Sequence, residues 1–143
     1  MTHEDAGKYA AKHSGSKLDE RIASRIREVV TDNTISCAGA HKIAEDLNVT
    51  PGEVGITVDL LEFKISKCQL GFFGYGKNRK LVKKAEDVNP DIAKSIEAVL
   101  VDGKLTCKIV WDLADKSGMA RIDFAGICEK MGIKVSSCQL GAF

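Results

Sequence analysis

The stretch that decides the fold is "HKIAEDLNVTPGEVGITVDLLEFKI", His41 to Ile65. Near its middle, Thr50-Pro51-Gly52-Glu53 is a helix start. A threonine hydroxyl can accept from a backbone N–H three residues on, proline is tolerated at the first helical position, and Glu53 can reach back to the capping backbone. Upstream, Ala40, Ile43, Ala44 and Leu47 recur at helical spacing and put one apolar face on a helix that breaks near Asn48. Downstream, Val54, Val58 and Leu61 continue the helix begun at Thr50. Phe63 and Ile65 then alternate with Lys64 and Ser66, as a short strand does. The stretch therefore predicts helix, turn, helix, strand.

Working outward, the chain repeats itself. Residues 21–73 align with 91–143 without a gap, at an offset of 70. Identities include Ile22/Ile92, Ile26/Ile96, Asp32/Asp102, Cys37/Cys107, Ala44/Ala114, Lys64/Lys134 and the phrase Cys-Gln-Leu-Gly at 68–71 and 138–141. Two copies of a module this size suggest paired domains, since a solenoid needs more repeats to cover its faces. Each copy begins with a further helix (Ile22, Ile26, Val29 and Val30; Ile92, Ile96, Val99 and Leu100). Asp32-Asn33 and Asp102-Gly103 then read as helix stops, and Thr34-Ile35-Ser36 or Lys104-Leu105-Thr106 as a strand of three residues.

This order resembles a winged helix-turn-helix. The resemblance rests on His41–Ile65, with Ala44 facing the partner helix, a turn at Asn48-Val49 and Val54 packing inward. "WDLADKSGMARIDFAGICEKMGIKV", Trp111 to Val135, puts Ala114, Gly118 and Phe124 in the corresponding places. The expected fold class is mainly α with small β (α+β), as two tandem winged-helix-like modules. Residues 1–17 read as an N-terminal extension, with disorder as one reading, 18–76 as the first module, 77–90 as a basic wing or linker, and 91–143 as the second module. A hairpin through "FGYGKNRKLV" would form the first wing. The sequence ends at Phe143, so the second wing is expected to be a stub.

In the winged-helix family the third helix usually enters the major groove, and basic side chains fix the phosphates. Here the third helix of the first copy carries Glu53 and Asp59 with no basic residue. Its counterpart balances Arg121 and Lys130 against Asp123 and Glu129. Neither reads as a committed base reader. The stronger surface is the segment 77–84, where Lys77, Arg79, Lys80, Lys83 and Lys84 bring five positive charges in eight residues. Lys64 and Lys67 on the preceding strand would join them along a phosphate backbone. Phe72, Phe73 and Tyr75 interleave aromatics that suit single strands. The competing reading is a solvated linker docked by Leu81, Val82 and Ala85.

Composition bounds the function classes. The net charge is +1, with 21 Lys and Arg against 20 Asp and Glu, and the excess is concentrated in 77–90, which carries +3. The chain as a whole lacks the basic excess of a dedicated nucleic-acid binder. No apolar run is long enough for a membrane span and the first residues lack a secretory apolar core, so a cytoplasmic protein with no membrane partner is expected.

The cysteines number five. Cys37 with Cys68, and Cys107 with Cys138, form the same pair in each copy without a Cys-x-x-Cys knuckle. Three readings stay open: small buried hydrophobes, a metal or thiol-redox site using these four, and structural disulfides. Cys128 replaces Val58 and reads as core. No catalytic constellation or cofactor motif is present, so no enzyme activity and no cofactor are expected. The leading expectation is a nucleic-acid-binding or regulatory protein. Its rivals are a protein-interaction or homodimerising module, in which the acidic third helix and the apolar tail Leu140–Phe143 meet another chain or a second copy, and a cysteine metal or redox protein.

Overall fold

The computed structural model describes residues 17–75 and 80–142. Its elements are α1 (Glu20–Val29), β1 (Thr34–Ser36), α2 (Cys37–Leu47), α3 (Pro51–Leu60), β2 (Lys64–Ser66), α4 (Pro90–Val99), β3 (Lys104–Thr106), α5 (Cys107–Lys116), α6 (Arg121–Lys130) and β4 (Lys134–Ser136). The protein is mainly helical with short parallel strands. β1 pairs with β2 and β3 with β4, each in parallel, with Ile35 opposite Ile65 and Leu105 opposite Val135.

Local chemistry explains the boundaries. Asp19 caps α1 by accepting from the N–H groups of Arg21 and Ile22, and Ser36 and Thr106 cap α2 and α5. Thr50 and Glu53 form the reciprocal capping box at α3. Asp32-Asn33 and Asp102-Gly103 do more than end helices. All four have positive φ, and Thr31 with Thr34, and Val101 with Lys104, exchange backbone hydrogen bonds around them. These are two-residue turns that need left-handed backbone at both central positions, which Asn and Gly supply most cheaply.

Positive φ recurs at the repeat offset: Asn48 with Gly118, Glu62 with Gly132, Lys67 with Ser137, and Gly71 with Gly141. Glu62 and Lys67 hold such a backbone without being glycine, which costs something at each end of β2. Their counterparts in the second copy are Gly132 and Ser137.

The chain divides into two compact units. One comprises Met1–Cys68 with Gln139–Phe143, the other Gln69–Cys138. The division falls inside the repeated phrase, after each cysteine. The first unit packs Ile22, Ile26, Ile35, Ile43, Val54, Val58 and Ile65 around α1–α3 and adds Leu140 and Ala142 from the distant segment. The second packs Ile96, Leu105, Val110, Phe124, Ile127 and Cys128 and adds Leu70. Each unit therefore contains the helices of one module and the Gln-Leu-Gly of the other.

Candidate nucleic-acid interface

The basic residues singled out in the sequence fall in three places. Lys64 opens β2 and Lys67 follows it with φ 50°, both exposed and both in the first unit. Lys77 and Arg79 lie outside the described residues. Lys80, Lys83 and Lys84 are exposed in the second unit.

The segment from Lys80 onward is held at its backbone. The Leu81 and Val82 N–H groups both donate to the Gly71 carbonyl, at 2.8 and 3.1 Å, and the Ala85 N–H donates to the Gly126 carbonyl at 3.0 Å. Between these anchors the Lys83 carbonyl lies so close to α6 that a Cβ at Gly126 would stand 2.2 Å from it. Only a residue without a side chain allows that approach. Among the described residues no strand follows β2 before α4, so the expected hairpin is not seen there; its tip falls outside them. Leu81 is 46% exposed. Val82 and Ala85 are half-buried, and all three of Leu81, Val82 and Ala85 are held by backbone hydrogen bonds.

Of the described lysines in this set, Lys80 has a carboxylate neighbour, Glu129 at 3.8 Å, and its ammonium lies 5.9 Å from the centre of the Phe72 ring. Both are weak, exposed interactions. Lys64, Lys67, Lys83 and Lys84 form no ion pair among the described residues.

The third helices sit differently from a groove-reading helix. In α3, Val54, Gly55, Thr57, Val58 and Asp59 are buried; in α6 the run Phe124-Ala125-Gly126-Ile127-Cys128 is buried without a break. Five successive residues turn more than once around a helix, so α6 is covered on more than one face. Part of that cover is backbone: Leu140 lies against Gly55 and Lys83 against Gly126. Nor does α3 present the acidic face that its sequence suggests. Asp59 is only 1% exposed and so is hidden from solvent, and Glu53 is engaged in its capping box.

At the start of α6, Arg121 makes a bidentate pair with Asp115, at 2.9 and 3.1 Å, and stacks over Trp111 at 3.7 Å. The Arg121 guanidinium holds the Asp115 carboxyl below the usual carboxylate range. This arginine is thereby committed within its own unit.

Cys37 and Cys107 are the buried first residues of α2 and α5, Cys68 is buried and Cys138 half-buried. None of the five cysteines is in a disulfide. Among the described residues no three His, Cys, Asp or Glu side chains come together as a metal site requires. Burial, with the nearby Glu129 charge, pushes the Cys128 thiol up to about 11, which suits its reading as core. No described helix is long and apolar enough to cross a membrane.

Sequence reasoning missed the seats at Gly55 and Gly126. The available signal was glycine inside a helical pattern, which costs stability unless a close approach requires it. No protein-family model, no curated protein and no solved structure matches this chain.

Proposed function

We propose that the chain is a non-enzymatic nucleic-acid-binding protein of two winged-helix-like modules that grips phosphates without reading base edges through its third helices. The observation that carries this reading is the pinned segment 81–85. Lys83 and Lys84 are exposed on a backbone fixed at Gly71 and Gly126, so presenting them to a phosphate costs little backbone ordering. The covered faces of α3 and α6 support the second half of the proposal, because a helix with much of its surface already packed has less left to insert into a groove. Lys77 and Arg79 extend the same basic run in sequence.

The test is binding of a fluorescent duplex and of a single strand by anisotropy, across a salt series. Binding should show little sequence preference and weaken steeply with salt. Changing Lys83 and Lys84 together to Ala should reduce the slope of log K against log salt by about 2 on duplex DNA, roughly 0.9 for each phosphate no longer neutralised. An unchanged slope in the double variant would sink the proposal.

A protein partner is the second reading, favoured by one observation. Val99 and Val101 are 39% and 68% exposed beside a cleft of about 250 Å³ that Leu105 and Ile109 also line. Exposed apolar side chains around a concavity suit an apolar partner. Pull-down insensitive to moderate salt and lost in Val101→Asp would favour it.

A further inference from the structure

The seat on α3 is built for backbone. Gly52 and Gly55 are three residues apart and so share a helix face. A Cβ on Gly55 would lie 1.9 Å from the Leu140 carbonyl oxygen and 2.7 Å from its carbon, and one on Gly52 would lie 4.0 Å from the Gln139 carbonyl oxygen. Over this seam runs Gln139–Ala142, with Leu140 2% and Ala142 4% exposed and Gly141 at φ 78°. The same phrase is seated a second time in the other unit. There Leu70 is fully buried and Gly71, at φ 80°, lies against the Ile122 side chain of α6 and the Val82 backbone. Ile122 is the counterpart of Gly52 at the repeat offset.

Gln-Leu-Gly is thus a docking segment used twice in one fold. In both cases it reaches its seat from a module whose helices belong to the other unit. Residues 139–142 are joined covalently to the second unit at Cys138, and α3 holds them by non-covalent contacts alone. Nothing in those contacts distinguishes the chain's own phrase from the same phrase on another molecule.

We infer that the Gly52/Gly55 face of α3 is a recognition site for a Gln-Leu-Gly segment folded as a turn and that a second copy of this chain can supply it, so that two copies pair by exchanging residues 139–142. The pairing is independent of nucleic-acid binding. Exchange of an identical element is a low-cost route to dimers, because each contact in the dimer already exists in the single chain.

The test uses two full-length variants. Gly55→Ala closes the seat with one methyl group and keeps the phrase; Leu140→Asp leaves the seat open and spoils the phrase. Each alone should remain a monomer. Mixed in equal amounts at tens of micromolar, they should form a complex of twice the 15.5 kDa chain mass by light scattering. Replacing the Leu140→Asp partner by the double variant Gly55→Ala/Leu140→Asp should abolish it. A synthetic peptide of residues 137–143 provides a second donor, and should bind the Leu140→Asp chain saturably and at least tenfold more tightly than wild type, whose own phrase competes. If the Leu140→Asp chain is unfolded alone, the peptide should raise its helical circular dichroism. No complex in the mixture together with no peptide effect overturns the inference, and so does a complex that survives the double variant.

Discussion

Gly55→Ala offers the sharpest test of the seat because two effects of opposite sign meet at one methyl group. In an ordinary helix interior, Gly to Ala stabilises by about 1 kcal/mol, through lower backbone entropy in the unfolded chain. At Gly55 the new Cβ would overlap the Leu140 carbonyl, 1.9 Å away. Either the segment lifts off, losing roughly 1.5–3 kcal/mol of Leu burial, or it shifts and strains its neighbours at a cost of about 1–3 kcal/mol. The net expectation is destabilisation by about 1–2 kcal/mol in urea unfolding followed by far-UV circular dichroism. With the segment already displaced by Leu140→Asp, the same substitution should reverse sign and stabilise by about 1 kcal/mol. A stabilising Gly55→Ala in the otherwise unchanged chain would refute the reasoning, since it would mean that Leu140 does not occupy the seat in solution.

The matched starts of α3 and α6 differ in chemistry, Thr50 carrying a capping box and Ala120 no side-chain cap; Thr50→Ala should cost about 1 kcal/mol and Ala120→Ser should add about 0.5–1 kcal/mol, both read by chemical denaturation. Cys128, raised from 9.0 to about 11 in the fold, binds its proton more tightly there than in the unfolded chain, so its contribution is full below pH 9 and declines as pH rises toward 11. Cys128→Val, the residue of the first copy at the matched position, should flatten the loss of stability between about pH 9 and 11 measured by urea titration. Arg121→Ala removes the guanidinium over Trp111 and should cost about 1 kcal/mol while changing the emission of the protein's one tryptophan; unchanged emission would mean that the stacking is not populated.

Helix and strand were legible in the sequence because their causes are local. Thr50 to Glu53 states its own start, the apolar spacing of Ile22 and Ile26 states a buried face, and Ile65 between Lys64 and Ser66 states a strand. Asp32-Asn33 and Asp102-Gly103 read in the sequence as helix stops, although the same residue types specify a two-residue turn; the exchanged hydrogen bonds that make the distinction lie outside the pair itself. The sealing of α3 and α6 was not legible. It depends on which segment crosses which glycine, and Gly55 is separated from Leu140 by most of the second module. At the candidate interface, the sequence identified the basic run but not what fixes it, since backbone groups of Gly71 and Gly126 leave no trace in side-chain patterning. Asp59 carries a similar lesson: a formal charge in a sequence says nothing of whether solvent sees it.

The division of the units through Cys68–Gln69 and Cys138–Gln139 has a consequence for how the protein comes to be folded. During synthesis the helices of the first unit leave the ribosome long before Gln139–Ala142 exists, so α3 must wait with its glycine face open while the whole second module is made. Closing that contact joins Gly55 to Leu140, 85 residues apart, and so bears the loop-closure entropy of a distant pairing, which slows folding relative to the local helix contacts. The first unit is therefore expected to be the last completed although its helices are the first translated, and a nascent chain arrested before residue 139 should leave α3 more open to proteolysis than the finished protein does.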